Sequence, residues 1–600
     1  MAIIDSSAVE TLRRDETPAS RPTRVASPPL WAGVAIPDGF ELTAAGVVID
    51  RNDGPQRIAG PIWVVAYTRD GEKTGWGLMV RWLDRDGHLH ERAIPKPRLH
   101  EPGTALAQEL ASEGLDLLPG KERELNRYLA GFEPEARIRS VNRLGWLDDP
   151  EAALVFVQPS EILSRRTTEQ IIYQPERYSP SSSTLRAQGA LEAWQYEIAT
   201  RSVGNNLLTF AIGLALAAPL LKHAHLDGGG FHLYGGSSRG KTTALQVATS
   251  VWGCGADPAE AAGQTAICRW NTTKNGLEGL AAAHNDTLLA LDELGSLDAD
   301  DFDRAIYNLA GGQGKVAMDA NRNLKEQRVW RNLILSTGEI SGLQKIQECR
   351  RTPKAGQQLR FMDIPTTDGI IVETRGLAPA EFANQLKRAC GQSFGTAGPA
   401  FVRALIERFD SPGALEWFVT QRVDTIAREL AQDIAAPEHR RALRKLALIA
   451  LAGELAQEHG ILPPMLDIRA AVESVRDAWL SDHENRPSSV LGARAVKAFI
   501  LRRRDSFRDR FDSDIGLVSS RDICGYYDRQ LDLYLFTDEG FAEACSGHNP
   551  RVVAAELVAR GLLNKSENRY KTKQTIRQDG VKRRPRLYAV KGDILDQDFD

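Results

Sequence analysis

The chain has 600 residues, 42% of them hydrophobic and 26% charged, and a formal net charge of −4. That length leaves room for three or four domains with separate cores. The composition is that of an ordinary soluble globular protein, and the charge excludes a globally basic surface, so any cationic patch must be local.

Residues 1–29 are rich in Ser, Pro, Thr and Arg and lack an apolar signal segment, so a disordered tail is expected. Residues 30–185 read as an α+β domain. Alternating runs at Gly39–Leu42, Ile62–Tyr67 and Trp76–Trp82 predict strands, and Leu106–Leu117 and Lys121–Gly131 predict helices. A second strand set surrounds Arg143–Trp146 and Ala153–Val157. No catalytic cluster stands out there, which suggests a platform or a domain that receives a replication partner. Pro180–Thr184 reads as a polar linker. The apolar run Leu207–Leu221 is shorter than the roughly 20 residues a membrane span needs, so a buried helix is expected and no membrane association.

The strongest signal follows the apolar run Phe231–Tyr234. Gly235, Gly236, Ser237, Ser238, Arg239, Gly240, Lys241 and Thr242 have the spacing G-x-x-x-x-G-K-T, and Thr243 continues into a helical pattern. Backbone N–H groups of such a loop wrap a nucleotide's phosphates, assisted by the helix dipole. Lys241 is placed to neutralise the β- and γ-phosphates of ATP, and Thr242 to hold Mg²⁺. Downstream, Thr287–Leu291 reads as a buried strand ending in Asp292 and Glu293. Asp292 is the second candidate for Mg²⁺, through water, and Glu293 the candidate base that polarises the attacking water. A third strand, Asn332–Ser336, leads into Thr337 and Glu339, where a γ-phosphate sensor belongs. Ser336 and Thr337 are equal candidates for it. These strands and helices predict an αβα nucleotide domain over about 186–367.

Two dense helical stretches, Ala378–Arg408 and His439–His459, predict a helical lid over 368–486. Residues 487–600 change pattern again. Helices at Val496–Arg504 and Pro550–Arg560 precede two strands at Leu562–Lys565 and Arg586–Val590, the order of a winged helix. Arg560–Lys591 holds 11 Lys/Arg against 2 acids, a local charge of +9. Lys582, Arg583, Arg584 and Arg586 are candidate contacts to duplex phosphates. The cysteines, Cys254, Cys268, Cys349, Cys390, Cys524 and Cys545, form no C-x-x-C pair and no zinc spacing. Reduced thiols in a cytoplasmic protein are expected.

In ordered landmarks the chain resembles the Cch-like self-loading helicases of mobile genetic elements, AAA+ relatives of the MCM helicases. The landmarks are Gly145–Trp146, the loop at Gly235–Thr242, Trp270–Glu278, Leu291–Glu293, Tyr307–Lys315, Trp330–Glu339, Ala355–Pro365 and Leu446–Ala456. The resemblance implies an AAA+ core and a homo-hexameric ring with nucleotide between subunits, acting on single-stranded and duplex DNA. It implies an arginine finger at Arg360, with Arg350 and Arg351 in reserve, and a second sensor at Arg441. It also implies a hairpin before the sensor strand, whose Lys315, Arg322, Lys325 and Arg328 grip one DNA strand in the pore. The expected function is an ATP-dependent DNA helicase in replication of a mobile element or phage. A regulatory AAA+ ATPase with a DNA-binding domain and no unwinding is the alternative.

Overall fold

The computed structural model describes residues 29–600 except 53, 101–103, 148–152, 166–168, 175–183, 262–263, 316–326, 349–358, 368, 432–436, 485–487, 512–523, 546–547, 549, 567–568, 579–580 and 598–600. It is a mixed α/β protein in two compact units, Met1–Ile138 and Arg139–Asp600.

The first unit centres on an antiparallel set of strands, Ile62–Arg69, Gly77–Leu83 and Leu89–Pro95. Ile62 pairs with Trp82 and Trp63 with Arg81, so alternation places the two tryptophans on opposite faces of the sheet, and both are buried. Helices Ala105–Ser112 and Glu122–Ala130 supply Leu106, Leu110, Leu125 and Leu129 to the same core. A smaller meander, Phe40–Thr43, Gly46–Ile49 and Gln56–Ala59, completes it.

The second unit is organised by a five-stranded parallel sheet. Its order is Cys268–Arg269, Leu288–Asp292, Leu333–Gly338, Gly229–Tyr234, Phe361–Pro365. The strands Gly229–Tyr234 and Leu333–Gly338 are buried throughout, as parallel strands covered on both faces must be. Helix Asn206–Ala217 packs beneath and is buried from Leu208 to Ala217, which explains why its sequence is apolar on every side. Among the described residues no helix is long and apolar enough to cross a membrane.

After the sheet come helices Pro379–Gln392, Ala397–Arg408, Pro412–Leu430, Pro437–Glu458 and Ile468–Glu484. Pro412–Leu430 begins with Ser411, whose hydroxyl accepts the Ala414 N–H, followed by proline at the first helical position. Residues beyond 487 have their own core, which includes Val496, Phe536, Phe541, Leu557 and Val590. Helices Ser488–Arg502, Asp538–Ala544 and Pro550–Ala559 pack there. Leu563–Asn564 pairs antiparallel with Arg586–Lys591, which pairs on its other side with Leu533–Phe536. A short hairpin, Ile576–Gln578 with Val581–Arg583, stands outside that sheet.

Candidate functional site

The loop after strand Gly229–Tyr234 needs glycine at two positions. Gly235 has φ +143°, and a Cβ there would sit 2.6 Å from Thr366 Oγ1. Gly240 has φ +87° and stands at the N-cap of helix Lys241–Thr249. The free N–H groups of that helix start therefore face the loop. Lys241 Nζ donates to the carbonyls of Gly235 at 2.8 Å and Gly236 at 2.6 Å. Burial lowers the Lys241 pKa, and the Glu339 carboxylate opposes that shift. Arg239 donates to the Thr367 carbonyl, while its own carbonyl accepts the Ile370 N–H, so the loop is tied to the chain beyond strand Phe361–Pro365.

The sheet order places the acidic residues beside this loop. Strand Leu333–Gly338 lies between Gly229–Tyr234 and Leu288–Asp292, with Thr337 level with Leu233 and Ser336 level with Leu291. Thr337 Oγ1 donates to Asp292 Oδ1. Burial raises the Asp292 pKa, the Thr337 bond pulls it down, and the neighbouring Glu293 charge pushes it up. Glu293 is exposed and has φ +67°, a left-handed conformation that costs a non-glycine residue about 1–2 kcal/mol. Ser296 holds that turn with N–H and hydroxyl bonds to the Glu293 carbonyl at 3.0 and 2.7 Å.

Ser336 has a different environment from Thr337, because successive strand residues face opposite sides. Its hydroxyl is completely buried and accepts Trp270 Nε1–H at 2.8 Å. It stands 2.9 Å from His232 Nδ1, and His232 Nε2 stands 2.9 Å from the Ile340 carbonyl. The carbonyl can only accept, so Nε2 carries the proton and Ser336 donates to Nδ1. Burial pushes the His232 pKa down to about 4, so the ring is neutral near pH 7. Thr337 is thus the hydroxyl that reaches the acidic strand, and Ser336 is committed to the core.

Arg360 is half-buried, with its guanidinium 5.5 Å from the Tyr307 ring. Phe361 is level with Gly230, so Arg360 stands at the start of the parallel strands. The glycine loop stands at their far ends. Six residues from Gly229 to Gly235 at about 3.3 Å each put roughly 20 Å between them. Arg441 lies in helix Pro437–Glu458, one turn before Lys445, whose Nζ donates to the Gly228 carbonyl at 3.0 Å. That turn therefore also sits at the starting edge of the sheet.

Lys315 and Arg328 are both exposed, beside an isolated bridge between Gln313 and Val329. The Gly314 N–H donates to the Arg328 carbonyl at 2.8 Å, and the Lys315 N–H to Glu278 Oε2 at 3.3 Å. Arg322, Lys325, Arg350 and Arg351 fall outside the described residues. Lys582, Arg583, Arg584 and Arg586 are all exposed, on or beside the strands Val581–Arg583 and Arg586–Lys591.

One feature escaped the sequence reading. A cavity of about 560 Å³ adjoins the loop, lined by Tyr234, Gly236, Arg239, Thr366, Asp477 and Asp482. The Tyr234 hydroxyl donates to Asp482 Oδ1 at 2.7 Å, which brings helix Ile468–Glu484 to the loop. No local signal marks Asp482, because its role depends on a contact 248 residues away in the chain. Thr242 and Asp292 carry oxygen donors, the kind Mg²⁺ takes, and that ion needs few protein ligands because phosphate and water oxygens fill its octahedron. Among the described residues no three His, Cys, Asp or Glu side chains converge as a metal centre.

The fold has a solved counterpart. The structure described as the SCCmec type IV Cch active helicase matches with a TM-score of 0.62 at 20% identity, over 93% of this chain and 99% of that one. The chain resembles the Cch-like helicases. At that identity the likeness to Cch is one of fold. Residues 40–329 match the family model of a domain of unknown function, DUF927. The apo C-terminal region of NrS-1 also aligns, at 10% identity over 88% of this chain and 95% of that one, with a TM-score of 0.27 that carries no argument. No curated protein matches in sequence.

Proposed function

We propose that this protein is an ATP-dependent DNA helicase or translocase whose AAA+ core works as a homo-hexameric ring in replication of a mobile genetic element or phage. The observation that carries the reading is the split of the catalytic set across the sheet. Loop, Lys241, Asp292, Glu293 and Thr337 gather at one edge, while Arg360 stands roughly 20 Å away at the other. An arginine cannot bridge that distance within one subunit. It can serve the nucleotide of a neighbouring copy, which requires a ring or a stack. The fold shared with Cch, itself described as an active helicase, supports the same reading.

In this mechanism Lys241 exchanges its two carbonyl partners for the β- and γ-phosphates of ATP. Thr242 and Asp292 would hold Mg²⁺, which would supply charge neutralisation at the phosphates. Glu293 orients and polarises the attacking water, and Thr337 fixes the Asp292 carboxylate from the adjacent strand. Arg360 meets the neighbour's γ-phosphate in trans, and Arg441 serves as the second sensor. The cations Lys315, Arg322, Lys325 and Arg328 hold one strand in the pore, and each ATP-driven subunit shift moves that strand. Residues 487–600 form a winged-helix-like domain whose Lys582, Arg583, Arg584 and Arg586 contact duplex phosphates outside the ring. Residues before 186 receive a replication partner.

Strand displacement on a forked duplex tests this directly. Unwinding that requires ATP and disappears in Lys241→Ala supports the proposal. ATP hydrolysis indifferent to single-stranded DNA, with no displacement, would favour a regulatory ATPase.

A further inference from the structure

The first unit carries a cluster that the nucleotide chemistry does not use. Tyr67 ends up beside Trp76 because Trp76 immediately precedes strand Gly77–Leu83, whose Leu78 pairs with Tyr67. The two rings meet edge to face, 5.9 Å between centroids. Lys96 follows strand Leu89–Pro95, and its N–H donates to the Trp76 carbonyl at 2.9 Å. Its ammonium lies 4.6 Å from the centre of the Tyr67 ring. The Arg137 guanidinium lies 4.7 Å from the Tyr67 ring and 6.0 Å from the Trp76 ring. Arg137 is held there by bonds to the carbonyls of Pro134, Glu135 and Ala136.

Two properties set this cluster apart. Among the described residues its cations pair with aromatic faces and with no carboxylate, although Glu72, Glu133 and Glu135 are close in sequence and the chain as a whole is acidic. Its large aromatic surface is open: Trp76 is 39% exposed, and its indole N–H is satisfied by the Lys73 carbonyl at 3.0 Å. A core would not leave a tryptophan edge in water beside two cations that have no anionic partner among the described residues. Exposed aromatic surface offers base stacking, and fixed cations offer phosphate contacts; together they are what single-stranded nucleic acid needs and what a rigid duplex cannot use.

We propose that Trp76, Tyr67, Lys96 and Arg137 form a single-stranded DNA platform on the N-terminal unit. A base stacks on Trp76, the flanking phosphates lie against Lys96 and Arg137, and Tyr67 keeps the two cations in position. The platform has little base preference, because every base presents a π-face. It rests on the helicase reading only for the choice of DNA as the strand.

The test uses the full-length protein without ATP and a fluorescent oligothymidylate, titrated by anisotropy at several salt concentrations. Trp76→Ala weakens binding about ten-fold or more, the scale of one lost base stack. Lys96→Gln reduces the slope of log affinity against log salt by about 0.7, one phosphate contact on a single strand. Both variants keep the wild-type thermal unfolding midpoint, since both side chains sit at the surface or a strand end. An oligonucleotide carrying 5-iododeoxyuridine cross-links on irradiation to the peptide that contains Trp76. Wild-type affinity and slope in both variants, with cross-links only elsewhere, would overturn the platform while leaving the helicase reading intact, and would assign this surface to a protein partner. A wild-type protein that binds no single strand overturns both.

Discussion

Thr337 donates its hydroxyl to the carboxylate of Asp292 across two adjacent parallel strands, while its neighbour Ser336 is sealed among Trp270 and His232. The strand alternation that separates them turns an ambiguous pair into two different predictions. Thr337→Val should lower the ATP turnover number by about ten-fold or more with little change in KM, because it acts on the reacting geometry. Ser336→Ala should instead cost about 1–3 kcal/mol of stability, since Trp270 Nε1 and His232 Nδ1 both lose a buried partner. Steady-state kinetics and thermal unfolding on both variants decide it. Equal kinetic losses with unchanged stability would contradict the assignment.

Lys241→Ala should remove nucleotide binding and hydrolysis together, because its ammonium is held against the loop proposed to wrap the phosphates. Glu293→Gln should bind ATP nearly as well as the wild type and turn it over about 10²-fold more slowly or worse. A filter-binding titration beside a phosphate-release assay separates the two. Lost binding in Glu293→Gln would remove that residue from the chemistry.

Arg360→Ala is predicted to bind ATP and hydrolyse it poorly, by the 10³–10⁵-fold typical of an arginine finger. Mixed with Lys241→Ala protein, which has an intact finger and a dead loop, it should regain activity at sites that combine one good half from each. Co-assembly without recovered activity would place Arg360 outside the neighbour's site.

Lys445 supplies a pH-dependent prediction. Burial pulls its pKa down to about 8, against the attraction of Asp227, and the free side chain titrates near 10.4. Between those values the unfolded chain holds a proton that the folded chain has released. Stability from this residue therefore rises as pH climbs from about 8 to 10.4, and is lost as pH falls through 8. Chemical denaturation of wild type and Lys445→Met across that range should show a flatter pH dependence in the variant. Parallel profiles would mean that Lys445 keeps its ordinary pKa.

Much of the local structure around the candidate site could be read from sequence because its parts are contiguous. The glycine loop, the strand that feeds it and the acids ending the next strand are each contiguous, and Gly235 and Gly240 adopt the backbone angles that make glycine necessary. The strands at Ile62 and Gly229 and the helix at Leu207 follow from runs of apolar residues. What could not be read depends on distant partners. Ser336 and Thr337 separate only once His232 and Trp270 are placed beside them. Strand Phe361–Pro365 has no assignment of its own in that reading, and helix Ile468–Glu484 is covered only by the helical lid expected over 368–486, although its buried Ala471, Val472, Val475 and Trp479 keep helical spacing. The Tyr67–Trp76 cluster is invisible for the same reason, since each member looks like an ordinary strand residue until the sheet assembles.

The most direct measurement is ATP hydrolysis by the wild-type protein, with and without single-stranded DNA, run beside displacement of a strand from a forked duplex. The account predicts that single-stranded DNA accelerates hydrolysis, that the fork is unwound only with ATP, and that Glu293→Gln abolishes both while still binding the fork. Hydrolysis that ignores DNA, together with an intact fork, would contradict it.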